Sequence, residues 1–212
     1  MYTPAHFAEE RIDRLHEFIR AHPLAVLVTS GAGNLEASHI PVVLHPEIGA
    51  QGVLRCHLAR ANPEWRTLEA SPEVLAIFCG AQHYITPNWY PSKEQHGKVV
   101  PTWNYLAVHV YGKASTFEDP ALLHAHLSTL TEQQEQPYPE PWRVQDAPAD
   151  YISALSKAIV GVEIAITGIE GKWKASQNRP DADRRGVIDG LSALDTEASR
   201  AMARIVRERS ED

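Results

Sequence analysis

The run His57-Leu58-Ala59-Arg60-Ala61-Asn62-Pro63-Glu64-Trp65 puts an arginine between a β-rich stretch and a helix start. Unpaired N–H groups and the positive end of the helix dipole suit an anion there, above all a phosphate. Arg60 could add a bidentate charged contact. The same residues also read as a capped helix beside a solvated arginine. A second group joins Tyr84-Ile85-Thr86-Pro87-Asn88-Trp89-Tyr90 to Val100-Pro101-Thr102-Trp103-Asn104-Tyr105. Aromatic faces alternating with Thr and Asn could cover a planar heteroaromatic ring and fix its edge. Core packing and a protein interface use the same residue types. The third group, Glu170 to Arg179, carries two lysines, an arginine and several amide or hydroxyl groups. It offers donors to a ligand, or forms a basic surface turn.

Other chemistries leave no trace. There is no G-x-G-x-x-G, no G-x-x-x-x-G-K-[ST] and no G-x-S-x-G, so the common nucleotide loops and the hydrolase elbow are missing. His124 and His126 stand two apart on an expected helix and cannot share an ion. No metal site is expected. Cys56 and Cys79 are too few for a disulfide framework or a thiolate zinc site and read as two buried thiols in a reducing compartment. Tyr90, His96 and His109 could move protons, with nothing to single one out, and no catalytic residue is assigned.

The elements that must position these groups follow from periodicity. Apolar residues at Ala8, Ile12, Leu15, Phe18 and Ile19 predict one helix over residues 5–21, ended by Pro23. Strands are expected at 24–29, 35–44 and 53–58, with a turn at Gly31-Ala32-Gly33-Asn34 and a second at 45–52. Asn62 and Pro63 open a helix that ends near Ser71. Strands at 73–78 and 82–85 precede an exposed loop over 86–97, and a long strand covers 99–116. A helix over 120–134, an irregular proline segment at 137–141 and a helix over 149–157 come next. A strand at 159–166 turns at 168–171 before an extension over 172–176, and helices near 183–191 and 195–207 close the chain. Early strands joined by hairpins imply an antiparallel barrel with flanking helices, mainly β in an α+β class.

The 212 residues carry 20 Lys and Arg against 27 Asp and Glu, a net charge of -7, with 43% hydrophobic residues. That composition supports a globular core and disfavours non-specific binding to nucleic acid or anionic membrane. Residues 179–212 hold seven arginines and eight acidic residues, a balance of -1. That is not the basic footprint of a direct DNA reader. No apolar run approaches the length of a membrane span, and the N-terminal residues lack a basic apolar leader. A soluble cytoplasmic protein without membrane partners is expected.

The motifs M-Y-x-P-x-H-F, S-H-I-P, H-L-A-R-A-N-P-x-W, Y-I-T-P-x-W-Y, V-P-T-W-N-Y and K-x-S-Q-N-R occur in this order. Together they resemble the PaiB family, described as FMN-binding negative transcriptional regulators, over residues 1 to about 191. The resemblance implies an antiparallel split β-barrel that dimerises and binds FMN at the homodimer interface. It places Arg60 at the FMN phosphate with His57 and Asn62 as neighbours. The stretches Trp103, Asn104, Tyr105 and Ser176, Gln177, Asn178 would line the site, one of the two from the partner subunit. Residues 1–178 would form the FMN-binding domain, including the N-terminal helix, and 179–212 a helical extension packed on it. Whether the flavin turns over a small substrate, as in an FMN-dependent oxidoreductase, stays open.

Overall fold

The computed structural model describes residues 1–31 and 34–211. The expected turn at Gly31-Ala32-Gly33-Asn34 therefore lies partly outside the described residues, at Ala32 and Gly33. Eight strands, β1 (Ala8–Glu9), β2 (Leu24–Gly31), β3 (Asn34–Pro41), β4 (Val43–His45), β5 (Val53–Ala59), β6 (Glu73–Ile85), β7 (Thr102–Phe117) and β8 (Ile159–Lys174), share one sheet. Its order is β3-β2-β6-β7-β8-β5-β4, with β1 paired to β8. Registered pairs such as Val28↔Leu75 and Cys56↔Val162 are antiparallel. The path is open at β3 and β4, as in a split barrel. Among the described residues seven α-helices flank it: α1 (Ile12–Ala21), α2 (Glu64–Ala70), α3 (Ser92–His96), α4 (Pro120–Glu135), α5 (Ala149–Ser156), α6 (Asp181–Leu194) and α7 (Glu197–Glu211). Among the described residues, no helix is long and apolar enough to cross a membrane.

The chain forms two compact units. The second comprises residues 16–78 and 109–169. There β2, β5 and β8 alternate as half-buried strands must, and Leu27, Leu54, Cys56, Val162 and Ile164 are fully buried. Gly161 lets the Phe117 ring lie against β8, for a Cβ there would stand 2.3 Å from two ring carbons. Burial pushes the Cys56 thiol up to about 12, with Glu64 adding to the effect, so it stays protonated.

The first unit comprises residues 1–15, 79–108 and 170–212. Here the expected helix over 5–21 breaks down. Ala5–Phe7 is a 3-10 turn, Ala8–Glu9 is strand β1, and the helix starts at Ile12. Ala8 pairs with Lys172 and Glu9 with Gly171, so ladder hydrogen bonds replace helical ones. The Glu9 carboxylate is buried between Arg11, whose Nε and Nη2 donate at 2.8 and 2.7 Å, and Arg209 of α7. These hydrogen bonds, Arg11's foremost, hold its carboxyl down to about 2 against the cost of burial.

Three further expectations are corrected. Residues 86–97 are not a loop: Pro87–Trp89 is a 3-10 turn and Ser92–His96 is α3, ended by Gly97 at φ +66°. Strands β6 and β8 run unbroken through Gly80 and Gly168 to Gly171, because pairing along the sheet tolerates glycines that read locally as turns. Cys79 is exposed, not buried.

Candidate functional site

In the second unit, the sequence around Arg60 folds as a strand end entering a helix. Asn62 Oδ1 accepts from the Glu64 backbone N–H at 3.0 Å, so Asn62 caps α2 as its residue type predicts. The helix start is occupied from inside the protein. Glu64 is buried, and its carboxylate accepts from the hydroxyls of Thr29 (3.1 Å) and Ser38. Arg60 is likewise engaged. Its Nε donates to the Lys157 carbonyl at 2.7 Å, and its Nη2 donates to Glu118 at 2.7 Å and to the Ile159 carbonyl at 3.1 Å. The Glu118 carboxyl is lowered by that hydrogen bond and charge. His57 Nδ1 lies 3.1 Å from Nε2 of the buried His126, one ring donating to the other. Burial lowers both imidazoles, His126 to about 4, where the neighbouring His57, His45 and Arg55 add to the effect. Among the described residues no cluster of three metal-binding side chains occurs.

The first unit gathers the other six expected residues. Asn104, on β7, is fully buried and donates from Nδ2 to Ser176 Oγ at 2.9 Å. Ser176 is buried too and holds φ at +65°, a left-handed conformation uncommon for a residue with a Cβ. Gln177 ties the same turn down. Its Oε1 accepts from the Ala175 N–H at 2.7 Å, and its Nε2 donates to the Trp173 carbonyl at 2.5 Å. Asn178 is exposed at the turn's crest. Trp103 is 48% exposed, donates from its ring nitrogen to Gln82 at 2.9 Å, and meets Tyr84 edge-on at 5.9 Å.

Three cations surround this turn. Lys172 Nζ donates to the Tyr2 carbonyl at 3.1 Å and lies 5.2 Å from the centre of the Tyr105 ring. Lys174 Nζ donates to Thr102 Oγ1 at 2.6 Å. The Arg179 guanidinium sits 4.8 Å over the Tyr90 ring. Among the described residues none of the three is paired with a carboxylate. Burial lowers the Lys174 ammonium, and the charges of Lys172 and Arg179 lower it further while Tyr105 opposes them. Crowded cations lacking a counter-ion, beside aromatic faces and buried hydrogen-bonding groups, are features that a phosphorylated aromatic molecule would need.

Sequence reasoning assigned only part of this. Asn104 and Ser176 were expected, and the structure brings them into contact. Lys172, Lys174 and Arg179 read from sequence as donors to a ligand or as a basic surface turn, with no individual role. Their signal was the absence of acidic neighbours between Lys172 and Arg179. Trp89, grouped by sequence with the ring-covering aromatics, packs instead on α6. A Cβ at Gly186 would stand 1.9 Å from the Trp89 carbonyl oxygen, and one at Gly190 would stand 2.4 Å from the indole. Tyr90 is buried.

Comparison with known proteins covers most or all of the chain. A family model described as "Putative FMN-binding domain" matches residues 1–168. An uncharacterized protein of Emericella nidulans, AN0679, is 40% identical over 246 residues, spanning 100% of this chain and 98% of its own. The protease synthase and sporulation protein PAI 2 of Bacillus subtilis is 32% identical over 209 residues, covering 99% of this chain and 98% of that relative. A conserved hypothetical protein of Mycobacterium tuberculosis, solved by crystallography, has a TM-score of 0.60 at 15% identity, covering 85% of this chain and 94% of that chain. That last likeness is one of fold. By family match, by full-length identity and by an open antiparallel sheet with flanking helices, the chain belongs to the PaiB family of FMN-binding split barrels.

Proposed function

We propose that the protein is a cytoplasmic homodimer that holds FMN at the interface of its two copies and acts as a negative regulator of transcription. The observation that carries the flavin site is the group Lys172, Lys174 and Arg179, which has no carboxylate counter-ion among the described residues. In this reading Lys174 and Arg179 take the phosphate, and Tyr105 and Trp103 lie against the ring system. The Asn104–Ser176 hydrogen bond holds the turn that presents Gln177 and Asn178. In this reading His57, Arg60 and Asn62 approach the same flavin from the other copy. When bound, FMN supplies the redox chemistry of its ring, while this chain's residues orient it and neutralise its phosphate.

The net charge of -7 supports regulation through a partner or through the flavin state rather than through direct contact with DNA. The test is FMN titration of the purified protein, followed by absorbance. Lys174→Ala is expected to weaken binding by about ten- to a hundredfold, the range for a charged hydrogen bond. Arg60→Ala is expected to weaken it less, since Arg60 must first release Glu118. A colourless protein that takes up no FMN at tens of micromolar overturns the flavin assignment. A larger loss in Arg60→Ala than in Lys174→Ala moves the phosphate to the second unit.

A further inference from the structure

Between β7 and β8 the chain inserts α4, a 3-10 turn at Val144–Asp146, and α5. A cleft of about 650 Å³ runs along α5, within the roughly 300–1,000 Å³ of small-molecule sites. Eight helical residues make α5 about 12 Å long. The start of α5 borders Val144 and Ala147, and its end lies beside the Arg60–Glu118 pair, since Arg60 holds the Lys157 carbonyl.

The lining mixes apolar residues such as Leu123, Val144 and Ile152 with polar ones such as His124, Gln145 and Ser153. Leu123 and Val144 are buried, and Ile152 is half-buried. Helix α5 buries none of its own residues fully, and its Tyr151 and Leu155 stay 57% and 50% exposed. A helix of two turns has little stability of its own. A body lying in the cleft against Ile152 would add packing that the helix otherwise lacks. One end of the cleft is cationic. Glu118 already balances Arg60, but among the described residues no carboxylate pairs with Lys157.

We propose that this cleft binds a small organic acid with a flat or short-chain apolar body, its carboxylate at the Lys157 end. The site does not include the cations of the first unit, but its lining contains Arg60 and Glu118, so FMN binding at Arg60 would alter its cationic end. Isothermal titration calorimetry of the full chain with 2-naphthoate, with and without added FMN, tests it. One molecule per chain is expected to bind to the FMN-free protein, and to bind still, without mutual exclusion, when FMN is present. The neutral analogue 2-naphthylmethanol, and 2-naphthoate with Lys157→Glu, should each bind about fivefold more weakly, the upper worth of an exposed charge pair. Ser153→Trp, which fills the cleft, should abolish binding. Absence of binding by 2-naphthoate overturns the proposal, as does equal binding of acid and alcohol. Unchanged affinity in Lys157→Glu overturns it too, even if Ser153→Trp fails to fold. Competition by FMN would assign the cleft to the flavin site instead. FMN uptake is read separately by absorbance, so either reading can fail alone.

Discussion

Trp89 owes its position to two hydrogen atoms. Gly186 and Gly190 stand four apart on one face of α6, and together they leave the trough in which the Trp89 backbone and indole lie. Gly190→Ala would press a methyl group into the indole, which can shift, and should cost about 1–3 kcal/mol as other overpacked sites do. Gly186→Ala meets the Trp89 carbonyl oxygen at 1.9 Å, and backbone gives way less easily. Urea denaturation should rank it the more damaging of the two, and the reverse order would show that the 3-10 turn is pliable. The glycine spacing was visible in the sequence, but nothing local links it to a tryptophan a hundred residues away. That is why Trp89 read as a ligand-covering ring. Asn62, by contrast, was legible as a cap, because its partner is two residues away.

Helix α4 is fastened to the second unit partly through His126, buried against His57 of β5, with His45 of β4 and Arg55 of β5 also facing it. All three neighbours oppose a proton on His126. Arg55 is itself paired with Glu163, its Nη2 at 2.7 Å. A folded-state value near 4 against an ordinary 6.5 means that the unfolded chain takes up the proton first. The associated stability is full above pH 6.5 and is lost as pH falls from there towards 4, by up to about 3 kcal/mol. The denaturation midpoint should drop across that window in the native protein, and His126→Leu should flatten the drop. A flat profile in the native protein would mean that α4 admits water at His126. Elements such as α4 and β5 were readable from period and capping alone. The unbroken courses of β6 and β8 were not, because only pairing with neighbouring strands overrides Gly80 and Gly168 as breaks.

At the scale of the molecule, the proposed dimer should sediment at twice the 23.6 kDa chain mass. Dilution into the monomer range should release FMN in step with dissociation. Retention of FMN by a monomer would place the whole flavin site within one copy. The mainly antiparallel architecture was legible in the sequence, since hairpin-linked strands leave few alternatives. The division into two units was not, because the first unit draws on three stretches far apart in the chain. That scattering governs the order of events at the ribosome. Strand β1 is made before its partners, for Gly171 and Lys172 follow more than 160 residues later. At about 5–20 residues per second, the opening segment waits on the order of ten to thirty seconds for its ladder. The buried seat of Glu9 then waits for Arg209, made 200 residues after it. This unit therefore closes only after its late segments are made, and a nascent chain stalled before β8 should leave residues 1–15 open to protease.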